Sequence, residues 1–449
     1  MKIIIENNLE IVNTIREIYE GVRPDKLREL IAKHFIPTHE EKKGNAEIPT
    51  PVKLIDDMLI KIPIELWKTP HKVFEPCCGK GNFVLGIFDR FYKGLEEMFP
   101  DEIERCKVIM TQCIYYADLT SLNVFITTEI LKCHIQSYCG LDELEFDFNN
   151  YTGNTLELDV YSIWKINKFD AVIGNPPYNS SGNTSTGNTI WQDFTKKTLN
   201  ELISPNGYLL FVHPPGWRKP NTEKGKFYGM FKDMTETNQM LYLEIHGVKD
   251  GQKVFHCGTR YDWYLIERKP KYKNTIVLDE NNTMIEIDMN IFKWLPNSNI
   301  NTIQNILAQP QVIRCPIIYN RSNYGSDNKK YISKIQTEVY KYPVIHTIPL
   351  SGVRYIYSSI NDKGHFGVSK VIFGDNGLND AIIDMDGQYA MSENSMAIEV
   401  DDIYIAQNIK KALLSKKFKD LIKCCIIGNF RIDWRLFSEF KKDFWKEFI

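Results

Sequence analysis

The chain has 449 residues, 43% of them hydrophobic and 25% charged, near globular averages that exclude disordered, collagenous and coiled-coil classes. Its 55 lysines and arginines against 57 acids leave a formal charge of −2, which excludes a bulk polycation that clings to nucleic acid everywhere. No apolar stretch approaches the ~20 residues a bilayer requires, and acidic residues from Glu6 onward do not suit a signal peptide, so a soluble, cytoplasmic protein is expected.

From the N-terminus, Ile11, Ile15 and Ile18, then Leu27, Leu30 and Ile31, have helical spacing and predict two short amphipathic helices. They read as an appendage over 1–44. A polar stretch at 38–45 gives way to Pro49-Thr50-Pro51 and a further helical pattern ending near Ile60. From Lys72 to Glu267 short apolar runs alternate with helical patterns. Strands are expected at 73–74, 108–116, 169–173 and 208–212, with helices at 83–92, 122–131 and 191–203. Such alternation predicts an α/β sheet with ligands at the carboxyl ends of its strands. A charged break at 268–273 precedes a predicted hairpin over 275–288 that turns at Asn281-Asn282. Beyond about residue 300 the alternation ends, and mixed strands precede a lysine-rich helical section at 409–448. The expected organisation is therefore a core domain over 45–300 and a mixed α+β domain over 301–449. Within 311–370, nine lysines and arginines face three acids, so that part is either a polyanion dock or a solvated face.

The ten cysteines include two adjacent pairs and no CxxC, so reduced thiols are expected. Cys106, Cys113, Cys133, His134 and Cys139 are irregularly spaced and read as packed side chains, so no metal is expected.

The loop Glu75-Pro76-Cys77-Cys78-Gly79-Lys80-Gly81-Asn82-Phe83 places an acid and two glycines between a strand and a helix. Glycines let backbone approach a ligand, and an acid at a strand end offers a carboxylate to a cation or hydroxyl. Both the GxGxxG fingerprint and a phosphate-binding GK[ST] are absent. A ligand without phosphates is favoured, and S-adenosylmethionine fits; a plain tight turn is the other reading. Asp118, at the end of the next strand, suits either a ribose diol or a helix N-cap.

The strand 169–173 runs through Gly174 into Asn175-Pro176-Pro177-Tyr178. The exocyclic amine of adenine is a poor nucleophile because its lone pair is delocalised into the ring. Accepting both of its hydrogens, on the Asn175 side-chain carbonyl and the Pro176 backbone carbonyl, would localise that pair toward an incoming methyl group. Pro176 and Pro177 fix φ twice, and Tyr178 offers a flat face to an unstacked base.

Together the Glu75–Phe83 loop and Asn175-Pro176-Pro177-Tyr178 resemble the S-adenosylmethionine-dependent DNA adenine-N6 methyltransferases of restriction-modification type. The resemblance covers residues 45–268 and implies a Rossmann-like class I methyltransferase sheet with helices on both faces, followed by a C-terminal target-recognition domain. It implies Asn175, Pro176, Pro177 and Tyr178 as the catalytic residues. Cofactor contacts would come from Thr50, Glu75, Cys77, Gly79, Gly81 and Asp118, with Thr50 on the cofactor carboxylate, Glu75 by the methionine moiety and the glycines making room. Where the family has Asp for the cofactor adenine, this chain offers Asn154, with Asp159 as a rival. By the same resemblance Phe255 would stack on the flipped base from the other side. The polar segment 179–188 reads as a lid, and Arg218 and Lys219 suit DNA phosphates. The implied partners are double-stranded DNA and a cognate restriction endonuclease. Competing readings are methylation of an RNA base or a protein glutamine, a silent DNA-binding subunit, and a fused nuclease at Pro24-Asp25 with Glu41-Lys42-Lys43 or at Asp262 with Glu267-Arg268-Lys269.

Overall fold

The computed structural model describes residues 2–19, 24–35, 48–140, 147–180, 189–221, 223–324, 329–428 and 431–449. Most of the segment expected as a lid, and the stretch containing Glu41-Lys42-Lys43, lie outside these. The chain divides into two compact units, one of Met1–Pro215 with Glu223–Met289, the other of Gly216–Thr222 with Asn290–Ile449.

The first unit is built on nine strands: β1 (Val73–Glu75), β2 (Ile114–Asp118), β3 (Asn149–Thr152), β4 (Phe169–Gly174), β5 (Ile203–His213), β6 (Gln239–His246), β7 (Tyr261–Glu267), β8 (Thr275–Leu278) and β9 (Met284–Ile287). Their order is β3-β2-β1-β4-β5-β7-β6-β8-β9. The first five are parallel, and β7 inserts antiparallel between β5 and β6. Every residue of β1, β2 and β7 is buried, which is why these segments read as continuous apolar runs rather than alternating ones. The expected α/β sheet is therefore found. Because β1 pairs with β2 on one side and β4 on the other, the chain reverses its direction of winding there, and a crevice opens at the carboxyl ends.

The predicted hairpin is β8–β9. Its turn is held by Asp279, whose Oδ1 accepts from Asn281 N and Thr283 N at 2.9 Å, and Asn282 takes the left-handed φ of 60° that asparagine tolerates. At the other end, helices Lys2–Tyr19 and Pro24–His34 form as expected. They join the first unit rather than standing apart: Ile15 and Leu27 are buried, and Arg28 Nη1 donates to Asp56 Oδ1 at 2.8 Å.

The second unit carries two four-stranded sheets. One comprises β10 (Ile317–Tyr319), β14 (Lys370–Gly374), β15 (Ala381–Asp384) and β17 (Ser395–Glu399); the other comprises β11 (Ile332–Ser333), β12 (Tyr342–Thr347), β13 (Arg354–Ser358) and β16 (Ala390–Met391). The lysine-rich section is helical, as helices Ile403–Leu414, Lys416–Cys424 and Trp434–Phe437. Ser415 breaks the first two apart and caps the second through its Oγ on Phe418 N.

Gly216–Thr222 belongs to this second unit through Arg218. That side chain is fully buried, with Nη1 on Leu295 O and Pro296 O and Nη2 on Asn297 Oδ1. A guanidinium so engaged is not offered to a DNA phosphate, which corrects the sequence reading. Lys219 is half-buried too, 3.7 Å from Asp433 and over the Trp294 ring, and burial holds its pKa below the usual lysine range. Among the described residues no helix is long and apolar enough to cross a membrane, no metal-holding group of His, Cys, Asp or Glu occurs, and all ten cysteines are free thiols.

Candidate active site

Parallel pairing of β2, β1 and β4 brings their carboxyl ends to one edge, with Glu75 and Asp118 as the last residues of β1 and β2 and Asn175 immediately after β4. A cavity opens there, lined by Thr50, Cys77, Gly79, Asp118, Asn154 and the whole Asn175–Tyr178 stretch, with apolar walls from Ile48, Leu119, Leu156, Ile190 and Phe194.

The loop after β1 is folded onto β2. Cys78 N donates to Ala117 O at 2.8 Å and Gly79 N to Asp118 Oδ2 at 3.0 Å. Gly79 and Gly81 take φ of 51° and 86°, a region L side chains rarely adopt. Gly81 does not line the cavity: a Cβ there would lie 3.1 Å from Thr127 Cγ2, so this glycine makes room for a helix side chain rather than for a ligand.

Glu75 is buried, its Oε1 accepting from Cys77 N at 3.1 Å while Oε2 has no hydrogen-bond partner among the described residues. Burial pushes its carboxyl well above the usual range, with Asp118 adding to the effect and the Cys77 amide opposing it. Gly174 makes space for this carboxyl, since a Cβ there would come within 2.3 Å of Glu75 Oε1. Nothing local in the sequence marks Gly174; the constraint comes from the neighbouring strand.

Asp118 serves the turn as well as the cavity. Its Oδ1 accepts from Thr120 N, Thr120 Oγ1 and Asn123 Nδ2 at 2.9, 3.0 and 3.1 Å. Asn123 Oδ1 in turn accepts from Lys80 Nζ at 2.6 Å, so Lys80, Asn123 and Asp118 form a chain along the cavity wall. The lysine of the glycine loop was the signal for this relay. Asn154 lies at the cavity with both ends of its amide engaged, Oδ1 by Leu156 N and Nδ2 by Glu157 Oε1, and Thr155 Oγ1 ties this turn to Pro76 O at 2.7 Å. Asp159 is exposed and caps the next helix through Tyr161 N and Ser162 N, which removes it as a rival.

At the lip of β4 the Asn175 amide has a defined orientation. Nδ2 donates to Thr50 Oγ1 at 3.0 Å and Ile48 O at 3.4 Å, and Oδ1 is buried with no partner among the described residues. Thr50 is itself buried, and Asn82 Nδ2 holds its carbonyl at 3.2 Å. Burial keeps the Tyr178 phenol far above its ordinary range and therefore protonated. Phe255, expected to face a flipped base, is not at the cavity; it ends helix Val248–Phe255, packed edge-on against Tyr261 at 4.8 Å in the core.

Residues 112–255 match the Eco57I restriction-modification methylase family. A protein of Mycoplasma pneumoniae described as an uncharacterized adenine-specific methylase is 27% identical over 267 residues, which cover 44% of this chain and 63% of that protein; the match thus spans less than two thirds of the relative. Two solved structures show the fold at greater extent. A nuclease-deletion mutant of the Type ISP restriction-modification enzyme LlaGI, in complex with a DNA substrate mimic, aligns over 95% of this chain and 48% of its own, at 11% identity and a TM-score of 0.53. The Type IIL enzyme MmeI, in complex with DNA, aligns over 93% of this chain and 70% of its own, at 11% identity and a TM-score of 0.51.

Proposed function

We propose that this chain transfers a methyl group from S-adenosylmethionine to the N6 amine of adenine in double-stranded DNA, as the modification activity of a restriction-modification system. The observation that carries the reading is the Asn175 amide: Nδ2 is committed to Thr50 and Ile48, so Oδ1 is the end left to accept a hydrogen from a substrate amine.

The residues present fit the cofactor. Glu75 has an unsatisfied buried oxygen suited to an ammonium, Gly174 leaves space for that carboxyl, and Asp118 and Asn154 stand at the cavity wall for a nucleoside. Bound there, S-adenosylmethionine supplies an electrophilic methyl carbon: a nitrogen–carbon bond forms as the carbon–sulfur bond breaks, and sulfur keeps the electron pair. Asn175 Oδ1 and the Pro176 carbonyl take the two amine hydrogens and draw the nitrogen lone pair out of the ring. Because the prolines and Thr50 fix these acceptors beforehand, little reorganisation is needed at the moment of reaction. The methylated amine carries one proton too many and releases it to solvent, so no general base is called for. Tyr178 gives the base a flat apolar surface. An adenine stacked in a duplex cannot reach this lip, so it must be extruded.

The test is direct. The protein is incubated with labelled S-adenosylmethionine and chromosomal DNA free of methyladenine, and the DNA is digested to nucleosides. Label in N6-methyladenine with the wild type and none with Asn175→Ala is the expected result. Label confined to RNA or to protein glutamine would replace the substrate.

A further inference from the structure

Arg28 stands on the N-terminal helix Pro24–His34 and is only 9% exposed, although arginine is seldom found inside unless paired. Its Nη1 donates to Asp56 Oδ1 at 2.8 Å and lies 3.8 Å from Asp89 Oδ2. Asp56 belongs to the helix Val52–Leu59 and Asp89 to the helix Asn82–Gly94, so one guanidinium reaches two helices from other stretches of the chain. Its Nε and Nη2 are buried with no hydrogen-bond partner among the described residues. A buried cation with donors left unmet costs stability, so packing of the N-terminal helices alone does not explain its place.

Both of those helices begin at the site. Val52–Leu59 opens directly after Thr50-Pro51, with Ile55 N donating to Pro51 O at 3.1 Å. Asn82–Gly94 opens with Asn82, whose Nδ2 holds the Thr50 carbonyl at 3.2 Å. The two helices are therefore tied once at the mouth of the cavity and a second time at Arg28, since Asp89 lies about two turns beyond Asn82. Between the ties they meet at Gly86. A Cβ there would lie 2.8 Å from Arg28 Nη2, 2.9 Å from Leu59 Cδ1 and 3.1 Å from Ile55 Cγ2, so the bare glycine lets the guanidinium and the neighbouring helix close on the same backbone. Asp89 is anchored in turn, with Oδ1 lying 2.8 Å from His134 Nε2 and accepting from Tyr138 Oη at 3.1 Å.

We infer that Arg28 is a positioning residue for methyl transfer: by clamping the Val52–Leu59 helix to the Asn82–Gly94 helix it fixes Thr50, and through Thr50 the Asn175 amide. The inference rests on the DNA-methyltransferase reading and deepens it, and it gives the N-terminal helices a role beyond covering the core. The lever is short. Asp56 lies about 9 Å along the helix axis from Thr50, so a shift at the clamp moves Thr50 Oγ1 relative to Asn175 Nδ2, and a misplacement of ~1 Å at a reacting centre costs up to about a hundredfold in rate.

The test uses the full-length protein and single-turnover methylation of methyladenine-free chromosomal DNA at saturating S-adenosylmethionine, at a temperature well below the Tm of each variant. Arg28→Met should slow methyl transfer at least about fivefold while the DNA concentration for half-saturation stays within about twofold, and Asp56→Ala should do the same. The Asp56 side chain is 43% exposed, so its truncation leaves the core intact and covers the case in which Arg28→Met does not fold. Arg28→Lys, which keeps a cation opposite Asp56, should recover most of the rate. Glu29→Gln, at an exposed neighbour on the same helix, should match the wild type. A residue that only supports folding would lower Tm and leave the rate of the folded enzyme alone, so the deciding readout is coupling to Thr50. Arg28→Met or Asp56→Ala combined with Thr50→Val should be no slower than the slower single variant within about twofold, whereas independent effects multiply. Wild-type rates in Arg28→Met and Asp56→Ala, or effects that multiply with Thr50→Val, would overturn the positioning role while leaving the methyltransferase reading intact. A wild type that transfers no methyl group to DNA would overturn both.

Discussion

Asn175 Nδ2 lies 3.0 Å from Thr50 Oγ1, across 125 residues of chain. That contact turns the amide so that its oxygen, not its nitrogen, is the unsatisfied end at the lip of β4. Thr50 was expected to touch the cofactor carboxylate; its hydroxyl also orients the acceptor, and having accepted from Asn175 it retains its own proton to donate.

Thr50→Val should therefore lower methyl transfer about tenfold, the worth of one neutral hydrogen bond, with Thr50→Ser close to wild type. Single-turnover rates at saturating cofactor check this. A Val variant impaired only in cofactor affinity would remove Thr50 from the orientation of Asn175.

Glu75 should couple cofactor binding to pH. Burial raises its pKa well above 4.5, so the folded chain keeps a proton that the unfolded chain gives up above that value. Stability then falls as pH rises through the window between 4.5 and the folded-state pKa. Glu75→Gln, which cannot ionise, should show a Tm at or above the wild type that gains on it as pH rises. The same variant should lose cofactor affinity, because an ammonium arriving beside the wild-type carboxyl favours its ionised form. Binding of S-adenosylmethionine to the wild type should release a proton and strengthen with pH, measurable by calorimetry in two buffers of different ionisation enthalpy. A pH-independent Kd would show that the carboxyl does not meet the ammonium.

Gly174→Ala tests the space beside that carboxyl. The added methyl would come within 2.3 Å of Glu75 Oε1, which forces the side chain or strand to move at a cost of about 1–3 kcal/mol. Weaker cofactor binding with a lower Tm is expected, and Gly174→Ala combined with Glu75→Ala should recover much of the Tm loss. Equal destabilisation with and without the Glu75 change would place the strain elsewhere.

Lys80→Met should weaken cofactor binding through Asn123 and Asp118 while leaving kcat at saturation within a fewfold, since the relay lines the cavity and does not reach Asn175. Unchanged affinity would show that Asp118 is held well enough by Thr120 and the Gly79 amide.

Arg218 separates a structural cation from a DNA contact. Arg218→Met leaves three buried acceptors, Leu295 O, Pro296 O and Asn297 Oδ1, without this donor and should destabilise by about 1–3 kcal/mol per acceptor left unsatisfied. The salt slope for DNA should not change. A shallower slope with an unaltered Tm would restore the phosphate role.

The sequence by itself determined the α/β sheet and the residues that stand at the carboxyl end of β4. Fully buried parallel strands are written as unbroken apolar runs, and a strand that ends in Asn175-Pro176-Pro177-Tyr178 must present those residues at its carboxyl end. The hairpin β8–β9 was legible for a similar reason, because an αL position at Asn282 limits which residues fit. Tertiary structure decided which polar groups are already spent. Arg218 and Asp159 look like free charges in the chain and are consumed by carbonyls and a helix N-terminus; Phe255 looks like a base-stacking aromatic and is packed in the core; Gly81 gives its space to Thr127, while unremarked Gly174 shelters Glu75. In each case the partner comes from another stretch of chain, and neither spacing nor composition records which distant atoms will stand within 3 Å of a given side chain once the strands are side by side.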